Sequence, residues 1–250
     1  MSESTELMWG ELSRANELNP AQRHRWRLIV EEAARVSDLS SSPTIIDLGC
    51  GSGRLLSRMR AASPHAKLIG FDVDTRALEL ARQAVPDAEF HQADLSGGDA
   101  SAGALQQQAD VVLCSEVIEH LENPERAVRL ARALLKPGGA FIVTVPVGTI
   151  TAIDRAIGHL RHYTLDRMQT LLEGDGFRVR RSYLWGFPFH TLFRVAVGMV
   201  SGVPSGCTDE NFSAPAAFAF RVLNGFFYLN AKSRRWGRQL VAIAVPDSGV

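Results

Sequence analysis

Residues 44–55 read TIIDLGCGSGRL: a short apolar run ends in the acid Asp47 and is followed at once by alternating glycines at Gly49, Gly51 and Gly53. A compact run of this kind bounded by glycine reads as a buried strand. Glycine serves a following turn in two ways: it accepts backbone angles that a Cβ forbids, and it lets the backbone approach another group closely. The stretch alone therefore leaves two readings open. It is a turn presenting helix N-terminal N–H groups to a carboxylate or phosphate, or it is glycine packing between a strand and a helix. The spacing is GxGxG, and Arg54 stands where the dinucleotide fingerprint GxGxxG continues differently.

Outward from this turn, residues 43–147 alternate short β-branched runs with amphipathic helical runs, the signature of βαβ units and a parallel sheet. Strands are expected at 44–48, 67–72, 88–92, 109–115 and 140–146, with helices at 53–62, 75–84 and 124–135. Lys136-Pro137-Gly138-Gly139 is expected to stop the last of these helices. Upstream, Asn19-Pro20 opens a helix to about Val36. Downstream, Thr164 caps a helix over 164–173, a sixth strand follows at 177–186, and a seventh lies at 238–246. The intervening segment carries two Phe-rich helical patterns, 189–200 and 214–229, and a connection of that length with helices of its own reads as a substrate cap. The domain reading is a helical cover (1–42), a Rossmann-like core (43–186), a helical cap insertion (187–237) and a final strand with its tail (238–250).

Composition narrows the function classes. The 27 Lys and Arg balance the 27 Asp and Glu, which argues against a general nucleic-acid binder, because that binding needs a net basic face. Cys50, Cys114 and Cys207 form no CxxC, so a reduced, cytoplasmic protein is expected. MSESTELMWG lacks a cationic start followed by an apolar run, and no uncharged apolar stretch reaches the roughly 18 residues of a membrane span.

What gives the glycine turn a ligand is the series of acids at strand ends. Asp72 ends the second strand in GFDVD, where a carboxylate can accept both hydroxyls of a ribose. Asp94 follows the third strand, where a side chain can accept the exocyclic amine of adenine, and Asp47 faces a cationic ligand group. Adenine, ribose and a cationic amino-acid end, without phosphate, describe S-adenosylmethionine. Over about 43–245 the order IIDLGCGSG, GFDVD, QADL, CSEVIEHLENPERAVRLARALLKPGG and FIVTVP resembles the class I S-adenosylmethionine-dependent methyltransferases. That resemblance implies an α/β fold with a Rossmann-like, seven-stranded, mostly parallel sheet whose last strand is antiparallel. It also implies a cofactor site: Asp47 with Gly49, Cys50, Gly51 and Gly53 at the methionine part, Asp72 and Val73 at the ribose, Asp94 and Leu95 at the adenine, and Cys114 and Ser115 at the amino group.

On the acceptor side, SEVIEHL brings Glu116, Glu119 and His120 together, and GHLRHYT adds His159, Arg161, His162 and Tyr163. Histidine takes a proton near neutral pH, so His120, His159 and His162 are the candidate bases, in no fixed order. No metal is expected; Glu116, Glu119 and His120 are the weaker alternative as a divalent-cation set, similar to stretches in small-RNA 2′-O-methyltransferases and ubiquinone-pathway O-methyltransferases. Phe187, Phe189, Phe193, Phe212, Phe218, Phe220, Phe226 and Phe227 suggest a small apolar or aromatic acceptor, as in secondary metabolism. Beside them, KSRRWGR (232–238) is compatible with peripheral membrane contact and a lipid-linked acceptor. The rival functions are a metal-dependent RNA 2′-O-methyltransferase, a non-catalytic S-adenosylmethionine binder and a nicotinamide dehydrogenase.

Overall fold

The computed structural model describes residues 19–97, 105–192 and 225–247. The first element among the described residues is α1 (Pro20–Val36). Asn19 Oδ1 accepts the Ala21 N–H at 2.9 Å, and Pro20 fills the first helical position, where its missing N–H costs nothing. There follow β1 (Thr44–Leu48), α2 (Arg54–Ala62), β2 (Lys67–Asp72), α3 (Thr75–Ala84), β3 (Glu89–Gln92) and β4 (Ala109–Ser115). The second half holds α4 (Pro124–Leu134), β5 (Leu135–Pro146), α5 (Ala152–Ala156), α6 (Leu165–Gly174), β6 (Phe177–Phe187), β7 (Ala231–Ser233) and β8 (Gln239–Pro246).

The strands form one sheet in the order β3-β2-β1-β4-β5-β8-β6-β7. The pairs from β3 to β5 are parallel, and β8 runs antiparallel to β5 with Thr144 opposite Val241. Among the described residues the sheet thus has eight strands, one more than the seven expected. The added strand, β7, is the three-residue AKS, which has no apolar alternation to announce it. Parallel strands buried on both faces need continuous apolar sequence, and Ile45, Ile46, Leu48, Val111, Val112, Leu113, Phe141, Ile142 and Val143 are all buried. The helices cover them with matching stripes, Leu55, Leu56 and Met59 from α2 and Ala127, Val128, Ala131 and Leu134 from α4.

The Lys-Pro-Gly-Gly stretch behaves differently from expectation. Helix α4 ends at Leu134, and the extended chain begins at once. Lys136–Gly139 is an irregularity inside β5, where pairing with β4 jumps from Ala109↔Leu135 to Val111↔Ala140 and Gly138 takes φ 82°. Asp110 Oδ2 anchors the detour, accepting from Lys136 Nζ at 2.7 Å and from the Thr44 N–H at 2.8 Å.

The chain divides into two compact units: residues to Leu28 with Leu184–Arg238, and Ile29–Tyr183 with Gln239–Val250. In the first, His24 packs against Trp185 at 4.8 Å and Phe227 at 6.3 Å between ring centroids, and the Arg27 guanidinium lies 3.9 Å over the Tyr228 ring. Burial, then the charges of Arg27 and Lys232, push the His24 pKa down to about 3, so this imidazole is neutral. Asn230 Oδ1 ties the unit together by accepting the N–H groups of Phe189 and His190. Of the Phe residues expected in a cap, Phe227 is fully buried while Phe187 and Phe226 are exposed. Phe193, Phe212, Phe218 and Phe220, Cys207 and most of the two expected cap helices lie outside the described residues.

Candidate active site

Gly49, Gly51 and Gly53 all adopt positive φ, 76°, 51° and 74°. A side chain on each would meet something different. A Cβ on Gly49 would come within 2.4 Å of Val117 Cγ2, and one on Gly53 within 3.0 Å of Ala81 on α3. One on Gly51 meets nothing within 4 Å. Two of these glycines are therefore there for packing, and the third opens onto space. The packing reading thus holds at Gly49 and Gly53, and Gly51 has open space where a side chain would stand. The Gly49 and Cys50 N–H groups both donate to Phe71 O, at 2.7 and 2.9 Å, which folds the turn back over the end of β2.

Asp72 sits at that end with both oxygens engaged. Oδ2 accepts the Gly51 N–H at 2.7 Å and Oδ1 accepts the Asp74 N–H at 3.0 Å. Burial raises its pKa, and these two N–H groups oppose the rise. Two residues on, Asp74 caps α3 by accepting from Arg76 and Ala77, so GFDVD spends one acid on the turn and the next on a helix. Val73, between them, is 62% exposed, an apolar side chain held out at the sheet end.

Asp47 is the electrostatic anomaly. It is 2% exposed, and its buried Oδ1 has no hydrogen-bond partner. Burial, then the charge of Asp72, pushes its pKa up to about 8. Asp94 lies exposed after β3 and accepts the Ser96 N–H at 2.8 Å, beside the buried Leu95. Cys50 and Cys114 are free buried thiols whose pKa values burial pushes up, which excludes them as thiolate nucleophiles. Ser115 Oγ shares a hydrogen bond with Thr144 Oγ1 at 3.0 Å.

Immediately after β4 the chain turns through Glu116 at φ 58°, a strained conformation for a residue with a side chain. Its carboxylate Oε2 accepts from Gln239 Nε2 at 3.2 Å. Of Glu116, Glu119 and His120, the weaker alternative as a cation set, Glu119 and His120 group with His159, their donor atoms within 4.8 Å of one another. After Ser115 the SEVIEHL stretch runs as an irregular turn.

The three candidate histidines do converge. His120 and His159 meet edge-on with ring centroids 4.6 Å apart, and His159 Nδ1 lies 3.0 Å from His162 Nε2. Behind His162, its Nδ1 is 3.1 Å from Gly148 O and its Nε2 is 3.9 Å from Asp154 Oδ2. The row thus runs between two buried carboxylates, Glu119 and Asp154. Burial lowers the His120 pKa, a hydrogen bond to the Gly158 backbone partly opposing it. Of the other acceptor candidates, Arg161 donates to Glu122 O at 3.1 Å, and Tyr163 is buried with its pKa raised to about 12, chiefly by burial.

Asp154 was not among the residues singled out from sequence. It has a local signal, though. Thr151-x-x-Asp154 is a capping-box pattern in which the Thr151 N–H and Oγ1 donate to Asp154 Oδ2 at 2.9 and 2.8 Å, and the Asp154 N–H returns to Thr151 Oγ1 at 3.2 Å.

The methyltransferase-domain family model matches residues 21–182, well over half of the chain. The chain belongs to this family. Two curated relatives that it resembles are a ubiquinone biosynthesis O-methyltransferase of Serratia proteamaculans, 30% identical over 60% of this chain and 59% of that one, and a trans-aconitate 2-methyltransferase of Azoarcus sp. strain BH72, 34% identical over 49% and 46%. The chain spans about half the length of the curated relatives it matches. Among solved structures, the [4+2]-cyclase SpnF superposes with a TM-score of 0.61 at 17% identity, over 91% of this chain and 84% of that one, a likeness of fold. The family membership accounts for the parallel order β3-β2-β1-β4-β5 with antiparallel β8. Among the described residues, no helix is long and apolar enough to cross a membrane.

Proposed function

We propose that this chain transfers a methyl group from S-adenosylmethionine to a small, apolar or aromatic acceptor. The observation that carries this reading is Asp47: a buried carboxylate with an oxygen lacking a hydrogen-bond partner, ahead of a turn whose Gly51 has open space where a side chain would stand, suits the cationic end of an amino-acid ligand. Asp72, Val73 and Asp94 suit the ribose and adenine that continue from it. Bound S-adenosylmethionine supplies an already activated methyl group, so the protein's own task is alignment, exclusion of water and removal of a proton from the acceptor. Cys114 and Ser115, at the end of β4, offer backbone groups to the amino end, and the histidine row offers the base. That row favours an acceptor that loses a proton on methylation, a hydroxyl or an amine. The relatives named as O-methyltransferase and 2-methyltransferase act within small-molecule chemistry by their names, which agrees with this choice.

Calorimetric titration of the purified protein with S-adenosylmethionine and, separately, with NADH, each with and without EDTA, tests the reading. Micromolar S-adenosylmethionine binding insensitive to EDTA is expected. Preference for NADH overturns it in favour of a dehydrogenase, and loss of binding with EDTA brings back a cation at the acceptor side. A lipid-linked acceptor is the second reading, favoured by the exposed Phe187–Trp236 ring pair, 5.1 Å between centroids, beside exposed Lys232, Arg234 and Arg235. Cosedimentation with anionic but not neutral vesicles separates it from a freely diffusing acceptor.

A further inference from the structure

Resting on the methyl-transfer reading with Asp94 at the adenine, we propose that Arg126 is a positioning residue: it holds the turn that aims the Asp94 carboxylate and thereby sets the preference for the exocyclic amine of adenine. Residues Asp94 to Gly97 close on themselves. Asp94 Oδ1 accepts the Ser96 N–H at 2.8 Å, and Asp94 O accepts the Gly97 N–H at 3.1 Å. One carboxylate oxygen is thus spent on the turn, which leaves Oδ2 for a ligand. Among the described residues no hydrogen bond reaches Oδ2, and a Cβ on Gly97 would stand 3.2 Å from it, so glycine keeps its surroundings clear. A carboxylate accepts and an exocyclic amine donates; a purine without that amine brings no such donor to the same place.

A four-residue turn at the surface does not keep an acid aimed by itself, and Arg126 supplies a hold from outside it. Its Nη1 donates to Ser96 O at 2.6 Å, across thirty positions of sequence. Ser96 is thereby gripped on both sides, its N–H by Asp94 and its carbonyl by a cation, so a charge-assisted bond opposes any rotation of the turn that would swing Oδ1 off the Ser96 N–H. The hold has a firm base, because Ala127, Val128, Ala131 and Leu134 bury the other face of α4. Arg126 also stands where a helix does not favour a cation. It lies in the first turn of α4, behind Pro124 and Glu125, where the helix dipole favours acids. The bond to Ser96 O offsets that placement. The neighbouring loop has a separate tie: Asp72 pairs with Gln92 at the ends of β2 and β3, and Gln92 Nε2 donates to Val73 O at 3.1 Å. Gln92 therefore steadies the loop after Asp72, and Arg126 steadies the turn that carries Asp94.

Calorimetry of the full chain with S-adenosylhomocysteine, and with its analogue carrying unsubstituted purine in place of adenine, reads the preference as a ratio of affinities. The wild type is expected to favour the amine by on the order of tenfold, and Arg126→Ala to lower that ratio by about three- to tenfold. Arg126→Lys keeps a donor of the same charge and is expected to restore most of it. Gln92→Ala is expected to weaken both ligands alike and leave the ratio where it was; an equal fall in the ratio there would show general loosening and overturn the proposal. A wild type that binds both ligands equally overturns it alone, whereas one that binds neither overturns the methyl-transfer reading with it. Arg126 is exposed, so these variants are expected to fold and to melt close to the wild type. Amide exchange in the ligand-free chain needs no donor. The Ser96 N–H is expected to exchange faster in Arg126→Ala and to return toward the wild-type rate in Arg126→Lys. An unchanged Ser96 rate overturns the proposal even where the affinities move.

Discussion

At the glycine turn the acids are met by backbone, and at the histidine row they are met by side chains. Asp72 takes two main-chain N–H groups, and Asp47 Oδ1 takes none. Asp154 is held by Thr151 and lies 3.9 Å from the His162 imidazole. A backbone cradle of fixed dipoles binds a charge but offers it no proton path. A row of imidazoles does the opposite, because each ring has one nitrogen to receive and one to release. The difference argues that binding and proton removal are divided between the two regions.

The two regions meet at Gly49, whose missing side chain accommodates Val117 on the stretch that carries Glu116, Glu119 and His120. Gly49→Val is therefore the strongest way to break the comparison. It combines a forbidden backbone angle with a collision, and an expected loss of roughly 3 kcal/mol or more in urea unfolding follows from overpacking plus the left-handed penalty. Gly51→Ala has the same angular penalty without the collision, so its stability loss is expected at roughly 1–2 kcal/mol. Its donor affinity is expected to suffer as well, since the new methyl enters the space left for the ligand. Equal stability losses for the two variants would show that the Val117 contact does not join the regions.

The two regions also differed in how far sequence alone exposed them. Strands β1 to β5 and the glycine turn were legible because their signals are local: β-branched runs, glycines after an acid, a cap residue at a helix start. The acids proposed to hold the donor stand out for the same reason, each at a strand end. The histidines were visible as residues but not as a row, because their meeting depends on the path from Gly148 through the five-residue α5, too short to show helical periodicity. Asp154 was not singled out, and its local signal is the capping partner Thr151, which holds it inward. The positive φ at Glu116 was not legible, because no residue type at position 116 advertises that backbone.

Asp72→Ala should sharpen the comparison from the donor side. Losing a charged acceptor is expected to weaken S-adenosylmethionine binding by roughly 1–3 kcal/mol in calorimetry. The histidine tautomers should stay as they are, because the hydrogen bonds of Asp72 go to Gly51 and Asp74 on the turn. Unchanged affinity would remove the ribose assignment. Altered tautomers would show that the two regions are not divided as argued.

The gentlest test uses pH alone. In the ligand-free protein the Asp47 pKa stands at about 8, far above the ordinary 3.8. Between those values the folded chain binds a proton that the unfolded chain has lost, so the contribution of this group to stability falls as pH rises, by at most about 1.4 kcal/mol per pH unit. A cationic ligand reverses the preference, because it favours the ionised carboxylate. Binding S-adenosylmethionine at pH 7 should then release a proton, read as a binding enthalpy that changes between buffers of different ionisation enthalpy, and affinity should rise with pH up to about 8. Asp47→Asn should abolish both the proton release and the pH dependence while leaving the histidine row untouched. If the wild-type enthalpy is the same in every buffer, the cation does not sit against Asp47, and the donor side must neutralise its buried acid some other way.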